Sequence, residues 1–281
     1  MKNALLSIVL GLMATAAAQA APVYSDTVLA SNPVAYFRMN ETSGTTATNA
    51  VTGSSVTGNY GTYNSGAYTL ASTNAIRPPA YNGLETGNVA VSLTAPNQDS
   101  SAFLGTSVIP NTTNYTVEFW INTQAPQGLL AYLAGVNGGG GTESLGIASN
   151  GLNPGMGGRF FAYGSQVSSD VLYFASSISA GWHYLALRRE GTALNLYIDG
   201  VKDTTTVTPN TTFVGTGKSF VFGTRSDATW GMNGLVDEAA IYDAALSDSV
   251  ILAHYNSAIP EPGMLALLAV GGLVLFKRRR A

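Results

Sequence analysis

The stretch NYTVEFWINT, residues 114–123, limits the fold more than any other feature of the chain. β-Branched and aromatic residues alternate there with period two. Val117, Phe119 and Ile121 fall on one face, and Thr116, Glu118 and Trp120 on the other. Each face carries an aromatic ring, so the segment is read as a central strand covered on both sides. Other short runs of Val, Ile, Tyr, Phe and Thr are separated by Gly, Asn, Asp and Pro, the punctuation of many β-strands. WHYLALRR and LNLYI are joined by EGTA, and LNLYI meets VKDTTT through Asp199-Gly200, a pair suited to a tight hairpin with positive φ. Leu194, Leu196 and Ile198 are expected in the core, with Asn195 and Tyr197 turned away from it. KSFVFGT and GLVDEAAIYD read as two further strands. No long 3.6-residue period occurs before Ser247, which can cap a short helix through DSVILAHYN with Val250, Ile251 and His254 near one face. The reading is all-β.

Composition narrows the function. Charged residues are 10% of the chain, against about 25% in ordinary globular proteins, so Ser, Thr, Asn and Gly must carry the surface. The formal net charge is −3 and no basic cluster interrupts the β-rich region, which argues against nucleic acid as a partner. There is no cysteine, which removes thiol catalysis and Cys-ligated zinc. The two histidines, His183 and His254, have no sequence neighbour that suggests proton transfer and are assigned structural roles. The Gly-rich stretches VNGGGGTE and SNGLNPGMGGR lack the Lys-Ser/Thr pair of a phosphate loop and read as turns.

Both ends read as addresses. Lys2, an apolar run to Met13 and the small-residue motif Ala18-Gln19-Ala20 form a secretory signal over residues 1–20. At the other end, Pro260-Glu261-Pro262 precedes a fourteen-residue apolar run, Gly263 to Phe276, and then the basic flank Lys277, Arg278, Arg279 and Arg280. The run is shorter than the roughly 20 residues of an ordinary spanning helix, and the cations after it disfavour a core helix and favour a cytoplasmic end. One domain, residues 21–258, lies between the two signals.

The order VAYFRMNETSG, YTVEFWI, GWHYLALRREGTALNLYIDGV and FGTRSDATWGMNGLVDEAAIYDAALSDSVILAHY resembles a laminin-G-like, concanavalin A-like module. The resemblance implies a jelly-roll sandwich of two antiparallel sheets, and a function of binding carbohydrate or protein, with glycan cleavage as the minority activity. The terminus, residues 259–281, resembles the PEP-CTERM sorting signal of Gram-negative bacteria. That resemblance implies a single C-terminal transmembrane sorting helix, signal peptidase and an exosortase as partners, transient anchoring in the inner membrane, and delivery to the cell surface or extracellular matrix.

Candidate site residues follow from chemistry and from the resemblance. Retaining glycoside hydrolysis needs two carboxyl groups about 5–5.5 Å apart, but alternation sets Asp237 and Glu238 on opposite faces and leaves Glu118 alone. The resemblance implies that Asp237, after a glycine and two hydrophobic residues, is the candidate ligand for Ca²⁺, the one cofactor admitted, although Thr94 and Ala95 stand where relatives carry Asp-Gly. The competing role for Asp237 or Glu238 is to cap a turn or to pair with Arg188 or Arg225. For stacking on sugar faces the candidates are Trp230, Tyr197 and Tyr163. The expectation is a non-enzymatic, exported glycan- or protein-binding module, with a secreted glycan-active enzyme and a structural matrix protein as alternatives.

Overall fold

The computed structural model describes residues 23–60, 68–76, 81–94, 104–105, 113–123, 131–137, 144–147, 156–163, 171–209, 219–222 and 232–259. The first elements are α1 (Tyr24–Ala30), β1 (Ala35–Phe37), β2 (Thr46–Ala47), β3 (Gly58–Asn59), β4 (Tyr68–Ser72), β5 (Ala90–Thr94) and β6 (Leu104–Gly105). Next come β7 (Asn114–Thr123), β8 (Ala131–Asn137), β9 (Ser144–Ile147), β10 (Arg159–Tyr163), β11 (Val171–Ser177) and β12 (Gly181–Glu190). Then follow β13 (Ala193–Ile198), β14 (Val201–Lys202), β15 (Ser219–Phe222), β16 (Asn233–Tyr242) and α2 (Asp248–Ala258). The predicted secretory signal, Pro260, Glu261, Pro262 and the basic flank of Lys277 to Arg280 lie outside the described residues. No helix among the described residues is long and apolar enough to cross a membrane.

Two antiparallel sheets form a sandwich. One runs β14-β13-β12-β7-β16-β5-β4 with β1 also on β16, and the other runs β11-β10-β9-β8-β15-β6-β3-β2. Strand β7 is central, paired with β12 from Gly181↔Thr123 to Glu190↔Asn114 on one edge and with β16 on the other. Its inward residues Val117, Phe119 and Ile121 join Leu185, Leu187, Leu194 and Leu196 in the inter-sheet core. Leu145, Phe160, Phe174 and Phe222 of the second sheet close it. Ile198 packs at the rim of this core, and Asp199 (φ 51) with Gly200 (φ 76) supplies the two positive-φ residues of the anticipated hairpin.

The outer face of the first sheet is just as buried. Trp120 stands there among Tyr24, Tyr81, Tyr184 and Tyr255, with ring centroids 5.2–6.2 Å apart. Helix α2 covers this face, capped by the Ser247 hydroxyl, which accepts from Val250 N at 3.3 Å. Ile251, His254 and Ala258 are its buried residues, whereas Val250 is half-buried. Helix α1 and the segments carrying Ile76, Tyr81 and Leu84 cover more of it. Alternation gave no sign of α1, because it has seven residues, no side-chain cap and only Tyr24 and Val28 as fully buried apolar residues. The start of α1 and the end of α2 meet at Gly83: Tyr24 N donates to Gly83 O at 2.8 Å and Gly83 N to Ala258 O at 3.2 Å. A Cβ on Gly83 would lie 1.7 Å from the Ser257 carbonyl oxygen, so only glycine admits this approach.

Glu118, fully buried in the middle of β7, holds the outer layer together. It accepts from the hydroxyls of Tyr184 (2.6 Å) and Tyr242 (2.9 Å) and from His254 Nδ1 (2.8 Å), while His254 Nε2 meets Ser31 Oγ at 2.8 Å. One carboxylate thus joins strands β12 and β16 to α2, and through His254 to the end of α1. Truncating it leaves two hydroxyls and an imidazole buried without an acceptor, and loss of one partner of such a group costs about 3–5 kcal/mol. Glu118→Ala is expected to lose about that much unfolding free energy in urea titration, with Glu118→Gln in between; an effect within about 0.5 kcal/mol would refute this role.

Candidate functional site

The site forms where β16 changes partners. On the edge away from β7, residues 233–236 of β16 pair with β5, and residues 239–241 pair with β1. Between the two segments the β16–β7 register slips: Asp237 faces Trp120, but Ala240 faces Glu118. This bulge leaves Glu238 at φ 51, a left-handed conformation uncommon for a non-glycine residue. It also breaks the alternation on which the opposite-face expectation rested. Val236 and Ala239 both face the inter-sheet core, while Asp237 and Glu238 both engage groups of the outer layer.

Each carboxyl has its own partners. Asp237 Oδ2 accepts from Asn88 Nδ2 at 2.7 Å and Oδ1 from Glu238 N at 3.0 Å. Glu238 accepts from the Tyr36 hydroxyl and from Arg38 Nη2 at 3.1 Å. The partner of the pair is therefore Arg38, not Arg188, which bonds Asp248 at 2.6 Å and the Leu246 carbonyl at 3.0 Å; Arg225 lies outside the described residues. Arg38 Nη2 also reaches both oxygens of Glu85, at 2.5 and 2.6 Å, and Asn40 Nδ2 donates to Glu85 Oε1 at 3.0 Å.

In front of this network opens a cleft of about 310 Å³ lined by Arg38, Asn40, Glu41, Thr48 and Ala50. Its polar groups are set before any ligand arrives. Glu41 accepts from Thr48 N at 2.7 Å and from the Tyr60 hydroxyl at 2.6 Å, and Asn40 Oδ1 from Val89 N at 3.2 Å. The Arg38 side chain remains 27% exposed, with Nε and Nη2 turned to the carboxylates. Alternation could not single out this group. VAYFRMNETSG puts Arg38, Asn40 and Glu41 in one segment, but Glu85 and Glu238 lie 47 and 200 positions from Arg38. The available signal was two charges close together just past a strand in a chain so poor in charge.

The aromatic candidates fare differently. Tyr197 is fully buried on the outer face, where its hydroxyl donates to Asp248 at 2.7 Å and the Arg188 guanidinium lies 5.2 Å from its ring centroid. It packs, and offers no face to a sugar. Tyr163 ends β10, opposite Val171 and Ser144, and Trp230 lies outside the described residues. For calcium, both Asp237 oxygens are taken by N–H donors, and the described residues hold no group of three or more acidic or imidazole side chains able to share an ion. His183 lies at the rim of its strand face, bonded to Asp199 Oδ2 and Ser179 Oγ, both at 2.8 Å.

Burial raises the pKa values of Asp237 and Glu238 above the usual carboxylate range, and the two repel each other; Asn88 pulls Asp237 back, and Arg38 and Tyr36 pull Glu238 back. Folding thus raises their proton affinity. The stability this gives is complete below the unfolded carboxylate pKa and is lost as pH rises through the folded values. His183, raised by its hydrogen bond to Asp199, acts in the same direction. Unfolding free energy is expected to fall between about pH 5 and pH 8. Asp237→Asn, with the same shape and no charge, should flatten that fall in urea titrations; an unaltered slope would exclude Asp237 as a source of it.

A family model described as the concanavalin A-like lectin/glucanases superfamily matches residues 96–252. No curated protein matches the chain in sequence. Domain 4 of AbnA, an extracellular arabinanase from Geobacillus stearothermophilus, solved in complex with arabinotriose, superposes with a TM-score of 0.53 at 19% identity, over 79% of this chain and 98% of that one. The binding domain of botulinum neurotoxin serotype G gives 0.53 at 14%, over 80% of this chain and 50% of the toxin domain. Trypanosoma rangeli sialidase in complex with the inhibitor DANA gives 0.52 at 14%, over 79% and 32%. The chain thus spans nearly all of the arabinanase domain but half of the toxin domain and about a third of the sialidase. At such identities the likeness is one of fold. By the match over more than half its length, the chain belongs to the concanavalin A-like lectin/glucanases superfamily.

Proposed function

We propose that the chain is an exported surface or matrix module that binds an uncharged glycan in the Arg38–Glu41 cleft without cleaving it. The observation that carries this reading is the cleft itself, where a guanidinium, an amide and a carboxylate are fixed by hydrogen bonds within the protein before binding. Such groups match sugar hydroxyls, which both donate and accept, and pre-organisation lowers the entropy lost on association. Charge selects the class of ligand. Arg38 stands among Glu41, Glu85 and Glu238, so the cleft has no surplus positive charge to offer an acidic sugar. Family membership supports a carbohydrate ligand, and so does the bound arabinotriose in the similar arabinanase domain. Binding is favoured over glycosidic cleavage because Glu238 is fully buried and both Glu85 oxygens engage Arg38.

Calorimetric titration with neutral oligosaccharides tests the cleft. Arg38→Lys keeps the charge but loses the planar fork, and should weaken binding about 10-fold at temperatures well below its melting transition, which the lost bonds to Glu238 and Glu85 also lower. Equal affinity in the variant would move the ligand elsewhere. No binding to any glycan would leave a protein ligand or a purely structural matrix role.

Delivery is the second part of the proposal. The secretory signal over residues 1–20 and the Pro260-Glu261-Pro262, apolar, basic pattern of residues 259–281 support export, transient anchoring and exosortase processing. In a Gram-negative host that carries an exosortase, the surface protein should lack Lys277–Arg280 by intact mass. Without the exosortase it should stay with the inner membrane at full length. Full-length protein outside the cell in both hosts would overturn the sorting reading.

A further inference from the structure

Both histidines of the chain stand between a serine hydroxyl and a carboxylate. In one case, Ser31–His254–Glu118, the imidazole is 1% exposed and its carboxylate also serves two tyrosines, so the arrangement is packing. The other lies at the surface. Ser179 Oγ is 2.8 Å from His183 Nε2, and His183 Nδ1 is 2.8 Å from Asp199 Oδ2. Ser179 is exposed in the connection between β11 and β12, and the side chains of His183 and Asp199 are 16% and 34% exposed.

We propose that Ser179, His183 and Asp199 form a nucleophilic serine site that accepts small acyl groups from esters reaching the open β11–β12 connection. Geometry and roles identify such a site, whatever the order of its members in the chain. Asp199 is held from two sides: its Oδ1 accepts from Tyr184 N at 3.0 Å and its own N–H donates to Tyr184 O at 2.9 Å. A carboxylate only accepts, so the neutral imidazole carries its proton on Nδ1 and presents the Nε2 lone pair to Ser179. The Asp199 bond raises the His183 pKa, as suits a ring that must take up a proton. The other groups facing Asp199 are the hydroxyls of Tyr81 and Tyr255, whose ionisation it opposes. Two residues on, Gly181 borders open space, where an added Cβ would meet nothing within 4 Å. Among the described residues, the Ala180 N–H, next in chain to the nucleophile, bonds no backbone carbonyl and can meet the developing oxyanion.

The step balances without a redox partner. Ser179 Oγ bonds to the ester carbonyl carbon as its proton passes to His183 Nε2. Collapse breaks the bond from that carbon to the alkoxy oxygen, and the alkoxide leaves with the proton from His183. The products are acyl-Ser179 and a free alcohol, and water activated by the same imidazole can release the carboxylic acid and restore the serine.

The test uses the full chain, a fluorophosphonate probe and p-nitrophenyl acetate. One phosphonyl adduct is expected, located by peptide mass at Ser179. It should be absent in Ser179→Ala and slowed about 100-fold in His183→Gln. Ser179 is exposed, so its alanine variant tests the site without threatening the fold. Labelling should speed up with pH as His183 loses its proton, between about pH 5 and pH 9. Ser31→Ala is the internal control and should label like the unaltered chain. No adduct, an adduct that persists in Ser179→Ala, or a rate independent of pH would each overturn the proposal.

Discussion

A carboxylate without access to water at the centre of a sheet is the constraint on which the rest of the structure depends. Glu118 is on β7, the central strand of the first sheet, and is fully buried. An isolated carboxylate in that position would be prohibitively costly, so donors must come from every side. Two come from the strands that flank β7, through Tyr184 and Tyr242, and the third from α2 through His254. That demand explains why the outer face of the first sheet is roofed by helices when so many antiparallel sheets leave one face wet. It also explains why α1 and α2 lie against each other: His254 has a second ring nitrogen, and Ser31 at the end of α1 meets it.

The same strand assembly creates the cleft. β16 has β7 along one edge throughout, but its other edge is shared between β5 and β1. Where one partner ends and the next begins, ladder hydrogen bonds give way to side chains, and the gap is filled by Asp237, Asn88, Asn40 and Arg38. A bulge at this point turns two consecutive carboxyls to the same side, and Arg38 with Tyr36 offsets part of the cost of burying Glu238. Arg38 is thereby held by inward-facing bonds with its remaining surface to solvent. The site is a consequence of how the sheet changes partners.

Alternation made the sandwich legible because β7 and the hairpin beside it keep a strict period of two. β7 and β13 place each apolar residue as period two requires, and Asp199-Gly200 announced its own turn. What alternation hid has definite causes. A bulge shifts parity by one, so the Asp237–Glu238 pair could not be placed by counting from Val236. Helix α1 is too short to show a period and lacks a polar cap. Tyr197 was rightly turned away from the inter-sheet core, but a second apolar layer of helices waits on that side, so facing outward did not mean facing solvent. The Arg38 network joins residues up to 200 positions apart, a distance no local pattern spans.

The placement of charge follows from these constraints. In a chain with 10% charged residues, the described residues bury Glu118, Asp203, Asp237, Glu238, Arg188 and Arg189. Asp203 shows what such a group does: its carboxylate accepts from the N–H groups of Ala175, Ser176 and Thr205, and so ties β11 of the second sheet to the segment after β14 of the first. Each of these bonds has one correct partner and adds a directional constraint to the close packing of the apolar core. The converse holds outside. A surface left to Ser, Thr, Asn and Gly offers hydroxyls, amides and backbone in place of net charge. Contact with a hydrated neutral polymer then costs little electrostatic desolvation, so specificity falls to the few fixed groups of the cleft.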